Sequence, residues 1–144
     1  MNEFAYVLLA AFLVNYTLWV LMFIRLRPNA VSTAFFWYTG TLSGFILLEF
    51  MAWVSEPNWA LIWQRLDAPF WILIGSLFLN FVYAILEKAW DKWLTGIMLL
   101  SVIASVLSVF TPLVIASPVA YYWGYGFIPG ILFHPVVLLL VVFP

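Results

Sequence analysis

Long apolar stretches alternate with short polar breaks along this chain. The breaks hold charged and turn-forming residues, at 25–29, 55–58 and 87–92. A helix needs about twenty predominantly apolar residues to cross the hydrocarbon layer of a bilayer. The pattern therefore predicts about five membrane-spanning helices, at residues 4–24, 34–54, 60–86, 93–115 and 128–143.

Composition points to the same class of protein. Of the 144 residues, 67% are apolar and only 8% are charged, and the mean hydropathy is +1.14. Soluble domains carry about a quarter charged residues, so the charges here are too few to cover a water-exposed surface. We predict an all-α integral membrane protein, with residues 1–144 forming one helical bundle and the lipid bilayer as its main partner.

The five cations predict the orientation of the chain. Arg25, Arg27, Lys88 and Lys92 fall in the first and third loops, whereas Arg65 lies on the other side. Cytoplasmic loops of membrane proteins carry an excess of lysine and arginine. The first and third loops are therefore predicted to be cytoplasmic, which places the amino terminus outside.

The segment 117–127 has no charge but is crowded with aromatic rings, those of Tyr121, Tyr122, Trp123 and Tyr125. Such rings favour the membrane interface, so we expect this loop to lie along the bilayer surface. The last stretch is still apolar at Phe143. We therefore expect the natural chain to continue beyond Pro144.

Catalytic motifs are absent from the sequence. It has no cysteine, which excludes disulfides, thiolate metal sites and cysteine nucleophiles. It also has no glycine-rich phosphate loop, zinc motif or serine-centred elbow. We expect a chain that is not an enzyme, with no cofactor and no nucleic-acid partner.

Glu49 is the first candidate site residue, because it lies inside the second predicted span between Leu48 and Phe50. An ionisable group at membrane depth is costly and usually has a role. It can hold a proton, meet a polar group on another span, or line a ligand pocket. Plain interhelical hydrogen bonding is the structural alternative.

Trp63, Asp67 and His134 complete the candidate set. Asp67 shares a helix face with Trp63, and aromatic rings around a carboxylate can receive a cationic ligand, although tryptophans at this depth more often anchor a helix at the interface. Arg65 is two residues from Asp67 and so points elsewhere. His134 is the only histidine and lacks a second one for a metal site, so a packed histidine is its alternative role.

Small and polar residues within the spans are predicted to serve packing. Gly40 and Gly44 share one face of the second span and should let another helix approach closely. Asn15 and Asn80 should each find a partner on a neighbouring helix. A stripe of small residues on the fourth span should also pack: Ser101, Ser105 and Ser108.

The segment from Asn29 to Leu86 resembles the amino-terminal seven-helix sensor region of bacterial and archaeal histidine kinases and diguanylate cyclases. The resemblance is carried by Arg27-Pro-Asn29, Phe36-Trp37, Leu48-Glu49, Trp63-Gln-Arg-Leu-Asp67 and Phe81, and by the second patch 127–134. It implies a multi-pass sensor in the cytoplasmic (inner) membrane of a prokaryote that signals to a cytoplasmic catalytic domain. Only about five spans are visible, and no kinase or cyclase module is present.

Two functions from different classes remain open. The leading hypothesis is the sensor or input domain of a signal-transduction protein. The resemblance does not identify its ligand. The alternative is a non-catalytic accessory subunit of a larger membrane complex, since helix-packing faces need no further chemistry. Either protein would be compatible with a homodimer or a larger assembly. A transporter ranks third, because the spans show no inverted repeat.

Overall fold

The computed structural model describes residues 3–25, 27, 29–121 and 124–142. Four long helices follow one another in it: α1 Glu3–Arg25, α2 Ala30–Val54, α3 Pro57–Ile85 and α4 Lys92–Phe110. Among the described residues, these four are long and apolar enough to cross a membrane. The predicted class, a helical membrane protein, is confirmed to that extent, whereas the number of spans and the orientation stay predictions.

Local sequence explains where three of the helices begin. The Asn29 side chain accepts a hydrogen bond from the Ser32 amide, and the Ser32 hydroxyl accepts one from the Asn29 amide, so the two form a capping box. Pro57 occupies the first turn of α3, where its missing N–H costs nothing. Asp91 caps α4 by accepting from the Leu94 amide at 2.9 Å.

Helix α3 is the centre of the fold. It packs against α2 on one side and α4 on the other, while α1 packs against α2. Residues on α3 and α4 form the buried core together with residues of the segments that follow α4. Its members are Ala68, Ile72, Ile97, Ala104, Val114, Ile115, Val136 and Leu140. The predicted serine stripe of α4 is confirmed as a packing face, since all three hydroxyl-bearing residues are buried.

The segment after α4 forms a β-hairpin, which the sequence analysis did not predict. Strand β1 spans Ile115–Tyr121 and pairs antiparallel with β2, Gly124–Pro129. The predicted span 93–115 was too long because Pro112 has no N–H and restrains the residue before it, so α4 ends at Phe110. Two of the aromatic residues predicted to lie at the interface, Tyr122 and Trp123, fall outside the described residues.

The fifth predicted span differs from the structure at its start. Residues 128 and 129 belong to β2, and a turn at Gly130 leads into α5, Phe133–Val137, which continues as a π-helical segment, Leu138–Val142. The five α-helical and five π-helical residues are fewer than the twenty or so that a span needs. A fifth crossing therefore stays a prediction, and Phe143 lies outside the described residues.

Aromatic rings, rather than a second backbone, fill the space over the two glycines of α2. A Cβ on Gly40 would lie 2.6 Å from Trp19 Nε1 on α1, and one on Gly44 would overlap the Phe70 ring on α3. The prediction that both glycines serve close helix packing is confirmed, although the rings that cover them come from two different helices. Because aromatic side chains are large and flat, each can lie directly on a glycine and join α2 to a different helix.

The two asparagines within the long apolar helices, Asn15 and Asn80, have different kinds of partner. Asn15 donates from Nδ2 to the Ala11 carbonyl of its own helix, so its predicted interhelical partner was wrong. Asn80 accepts from Trp90 Nε1 at 3.0 Å, and Trp90 lies in the connection between α3 and α4. A long side chain on that connection reaches back over the end of α3, which satisfies Asn80 without a neighbouring helix.

The turn between α3 and α4 contains a compact charged cluster. Lys88 Nζ lies 3.2 Å from Asp91 Oδ2 and donates to the Tyr83 hydroxyl at 2.9 Å, while that hydroxyl donates to Asp91. The hydrogen bond to Tyr83, followed by that to Asp91, raises the pKa of Lys88. The Leu94 amide, helped by Lys88, lowers the pKa of Asp91.

This cluster predicts a loss of stability in acid. A lowered pKa in the folded state means that ionised Asp91 stabilises the fold above its ordinary value of 3.8, and that this contribution disappears as the pH falls below it. Asp91→Asn keeps a capping side chain but cannot titrate. Thermal unfolding in detergent should show a smaller drop in Tm between about pH 6 and pH 3 for Asp91→Asn than for the wild type. Equal acid sensitivity in the two proteins would contradict the assignment.

Candidate functional site

Glu49 lies near the carboxyl end of α2 and is held by a neighbour on its own helix. Trp53, one turn later, donates from Nε1 to Glu49 Oε1 at 2.7 Å. Both side chains are partly buried. The hydrogen bond fixes one carboxylate oxygen and keeps the carboxyl group within the helix bundle.

Gln64 and Asp67 project from one face of α3, since residues three apart are neighbours on a helix. They are only 2% and 4% exposed. Gln64 Nε2 donates to the Tyr125 backbone carbonyl at 2.9 Å, which ties α3 to strand β2. The acceptor atoms Gln64 Oε1 and Asp67 Oδ1 are buried and have no hydrogen-bond partner among the described residues.

We refer to Glu49, Gln64 and Asp67 as the α2–α3 polar cluster. Helix α2 packs on α3 with Gly44 against the Phe70 ring, five residues before Glu49 and three after Asp67, so the two carboxyl groups lie at a similar level on neighbouring helices. Two carboxyl groups and an unpaired amide oxygen therefore belong to one region between α2 and α3.

The hairpin closes this region from the side of β2. A Cβ on Gly124 would lie 3.0 Å from Trp53 Cγ, so the backbone of β2 rests directly on that indole. Gly124 also has a φ of 145°, a value that favours glycine. The next residue, Tyr125, supplies the carbonyl that Gln64 reaches. Contacts thus run from Glu49 through Trp53 and β2 to Gln64.

Arg65 does not neutralise the cluster. Its Nη2 donates to the Ile115 carbonyl of β1 at 3.5 Å, and its Nε is buried without a partner. The ion pair found among the described residues joins Lys88 to Asp91, at the other end of α3. Asp67 therefore has no cationic side chain bound to it in the part of the chain that the structure describes.

The other two predicted site residues lie differently. Trp63 is partly buried on α3, one helical turn before Asp67. His134 is exposed on α5, where its ring meets Phe133 edge to face at 5.5 Å between centroids. Within the described residues, no hydrogen bond or ion pair connects His134 to Glu49 or Asp67.

Sequence reasoning missed three partners in this site, namely Gln64, Trp53 and the Tyr125 carbonyl. Gln64 stands three residues before Asp67, a spacing that places both on one helix face. That signal was present in the sequence. The carbonyl of Tyr125 could not be found in this way, because it depends on the unpredicted hairpin.

The donor set of the cluster limits its chemistry. No group of three or more histidine, aspartate or glutamate side chains suited to a metal ion occurs among the described residues. A cation at the cluster would therefore need neutral oxygens in addition to the two carboxyl groups. Gln64 Oε1 is such an oxygen, and hard cations accept amide and carboxylate oxygens together.

A separate cavity of about 580 Å³ opens at the opposite end of α3. Its lining includes Trp37, Asn80, Tyr83, Lys88 and Trp90. None of the four predicted site residues lines it. The cavity shows that the charged turn and the first turns of α2 enclose space at the end of the bundle away from the polar cluster.

Comparison of the chain with protein-family models, curated proteins and solved structures gives no match. The resemblance to sensor regions therefore stays a prediction, and the function has to be argued from the cluster itself.

Proposed function

We propose that this chain is the membrane-embedded input domain of a signalling protein, and that the α2–α3 polar cluster is where its stimulus acts. The observation that carries the proposal is the pair of unpaired, buried acceptors on Gln64 and Asp67. A buried polar atom without a partner costs about 1–3 kcal/mol. Ionisable groups held in this way within a membrane protein usually mark a functional position.

The connections of the cluster suggest how a signal would travel. Any ligand that bound the free acceptors of Asp67 and Gln64 would also affect the position of β2, because Gln64 is hydrogen-bonded to the Tyr125 carbonyl. Helix α3 has 29 residues, about 43 Å at 1.5 Å per residue. A shift or rotation of this helix at the cluster would therefore also move the Lys88–Asp91 turn at its other end. Helix shifts of this kind are a common switching motion.

A test in native membranes would use the full-length protein and its phosphotransfer or nucleotide-cyclising output. We expect Asp67→Asn to change the output at least about fivefold, the lower range of typical coupling between sites. Glu56→Gln is the matched control, because Glu56 is an exposed carboxylate just before α3 whose side chain caps nothing. It should leave the output unchanged.

Two results would contradict the proposal. One is an output that Asp67→Asn and Glu56→Gln affect equally. The other is a reading frame that ends at or near Pro144 in a protein without a signalling partner. In that case the accessory-subunit role becomes the better hypothesis, and purification of the protein with its membrane complex would support it.

The proposal includes an outside amino terminus in a prokaryotic inner membrane, which cysteine labelling can test. The chain has no cysteine, so single cysteines give a clean signal. An impermeant thiol reagent added to intact cells should label Glu56→Cys, between α2 and α3, and should label Glu87→Cys only after permeabilisation. Both glutamates are exposed. The reverse pattern would show an inverted topology.

A further inference from the structure

We propose that the α2–α3 polar cluster binds a small, hard divalent cation of the Ca²⁺ or Mg²⁺ type between α2 and α3. The inference rests on the proposed function, since it names the class of ligand that the site would receive.

The unpaired atoms at the cluster are oxygen acceptors. In the described part of the chain, Asp67 Oδ1 and Gln64 Oε1 are both buried without a donor, and they belong to side chains three residues apart on one helix face. Glu49 adds a second carboxyl group from α2, of which Trp53 engages one oxygen. Carboxylate and carbonyl oxygens are the ligands that Ca²⁺ and Mg²⁺ prefer.

Charge balance favours a divalent ion. When ionised, Glu49 and Asp67 bring two negative charges into an apolar layer, where uncompensated charge is strongly disfavoured. No cationic side chain is paired with either of them among the described residues. A divalent ion would neutralise both carboxylates, whereas a monovalent ion would leave a net negative charge.

An ion bound at this site would link two helices next to the hairpin. It would join α2 to α3 beside the place where Gln64 holds β2 through Tyr125. Occupancy would therefore stabilise one arrangement of α2, α3 and the hairpin relative to others, which is what a ligand needs in order to shift a conformational equilibrium.

Thermal unfolding of the full-length protein in nanodiscs, after removal of divalent ions by a chelator, is the direct test. Adding Ca²⁺ or Mg²⁺ should raise the Tm of the wild type in a saturable manner, because a ligand that binds only the folded state stabilises it. Glu56→Gln should retain the rise and Asp67→Asn should lose it. A rise that persists in Asp67→Asn, or one that Na⁺ at equal ionic strength reproduces, would overturn the inference.

A second measurement needs only wild-type protein and Trp53→Phe, so it does not depend on the folding of Asp67→Asn. Terbium is a luminescent substitute for Ca²⁺ that nearby tryptophan excites, and Trp53 is hydrogen-bonded to Glu49. We expect sensitised emission that Ca²⁺ or Mg²⁺ competes away and that falls in Trp53→Phe. Emission without competition, or no emission, would refute cation binding.

The two proposals fail separately. If no divalent ion binds but Asp67→Asn still alters the output, the cation inference is wrong and the proposed function stands. If the ion binds but neither the ion nor Asp67→Asn changes any output, the proposed function is wrong and the ion has a structural role.

Discussion

Replacing Gly130 by alanine is expected to destabilise the protein by about 3 kcal/mol, the upper range for forcing extra atoms into a packed site. A Cβ at this position would overlap the backbone carbonyl groups of Leu113 and Pro112. The Leu113 carbonyl cannot rotate away as a side chain would, because it accepts from the Leu132 amide at 2.8 Å. The next carbonyl, that of Val114, accepts from the Gly130 amide at 2.8 Å and so holds the two segments together. Thermal or denaturant unfolding in detergent measures the change.

Gly96→Ala is the matched control for Gly130→Ala. Gly96 lies within α4, and a Cβ there would meet nothing within 4 Å. Alanine has the higher helix propensity by about 1 kcal/mol, so this substitution should be neutral or stabilising. A similar loss of stability for Gly130→Ala and Gly96→Ala would show that the close approach at Gly130 is not the cause.

Replacing Gly44 by alanine is expected to destabilise the protein by about 2 kcal/mol and to disturb the polar cluster. The new Cβ would lie 2.6 Å from Phe70 Cδ1, so α2 and α3 would have to separate or the ring would have to turn. Gly44 is five residues before Glu49, and Phe70 is three residues after Asp67. We therefore expect the stabilisation by Ca²⁺ or Mg²⁺ to weaken together with the Tm, in the same unfolding experiment.

Truncating the opposing ring supplies the control for this second prediction. Phe70→Leu removes the ring that Gly44 faces, so the double variant with Gly44→Ala should be more stable than the sum of the two single effects implies. Residues in direct contact show such coupling, about 0.5–3 kcal/mol in a double-mutant cycle. Strict additivity would mean that Gly44 and Phe70 do not touch as the structure shows.

Features that depend on neighbours in sequence were partly within reach of prediction. The capping residues Asn29 and Asp91 stand at polar breaks that the pattern located. The shared face of Gln64 and Asp67 follows from their spacing alone. Pro112 also indicates that α4 ends at Phe110. The residues after Pro112 are apolar enough to belong to a membrane span, however, so the predicted span was extended past the proline.

Features that join distant parts of the chain could not be predicted from the sequence. Gln64 and the Tyr125 carbonyl are 61 residues apart, and no spacing rule connects them. The same holds for Trp53 under Gly124 and for Phe70 over Gly44. Whether His134 belongs with Glu49 was likewise undecidable from the sequence, and the structure leaves its exposed ring without a bond to the cluster.

The sequence by itself determined that this protein is built from apolar helices suited to a membrane. That follows from physics local to each segment, because a helix satisfies its own backbone hydrogen bonds and about twenty apolar residues match the hydrocarbon thickness. Only the tertiary structure decided that residues 115–129 form a hairpin beside α3 and that Glu49, Gln64 and Asp67 form one cluster. Strand pairing and side-chain contacts between helices depend on how the whole chain packs, because each such contact requires two segments distant in sequence to lie next to each other.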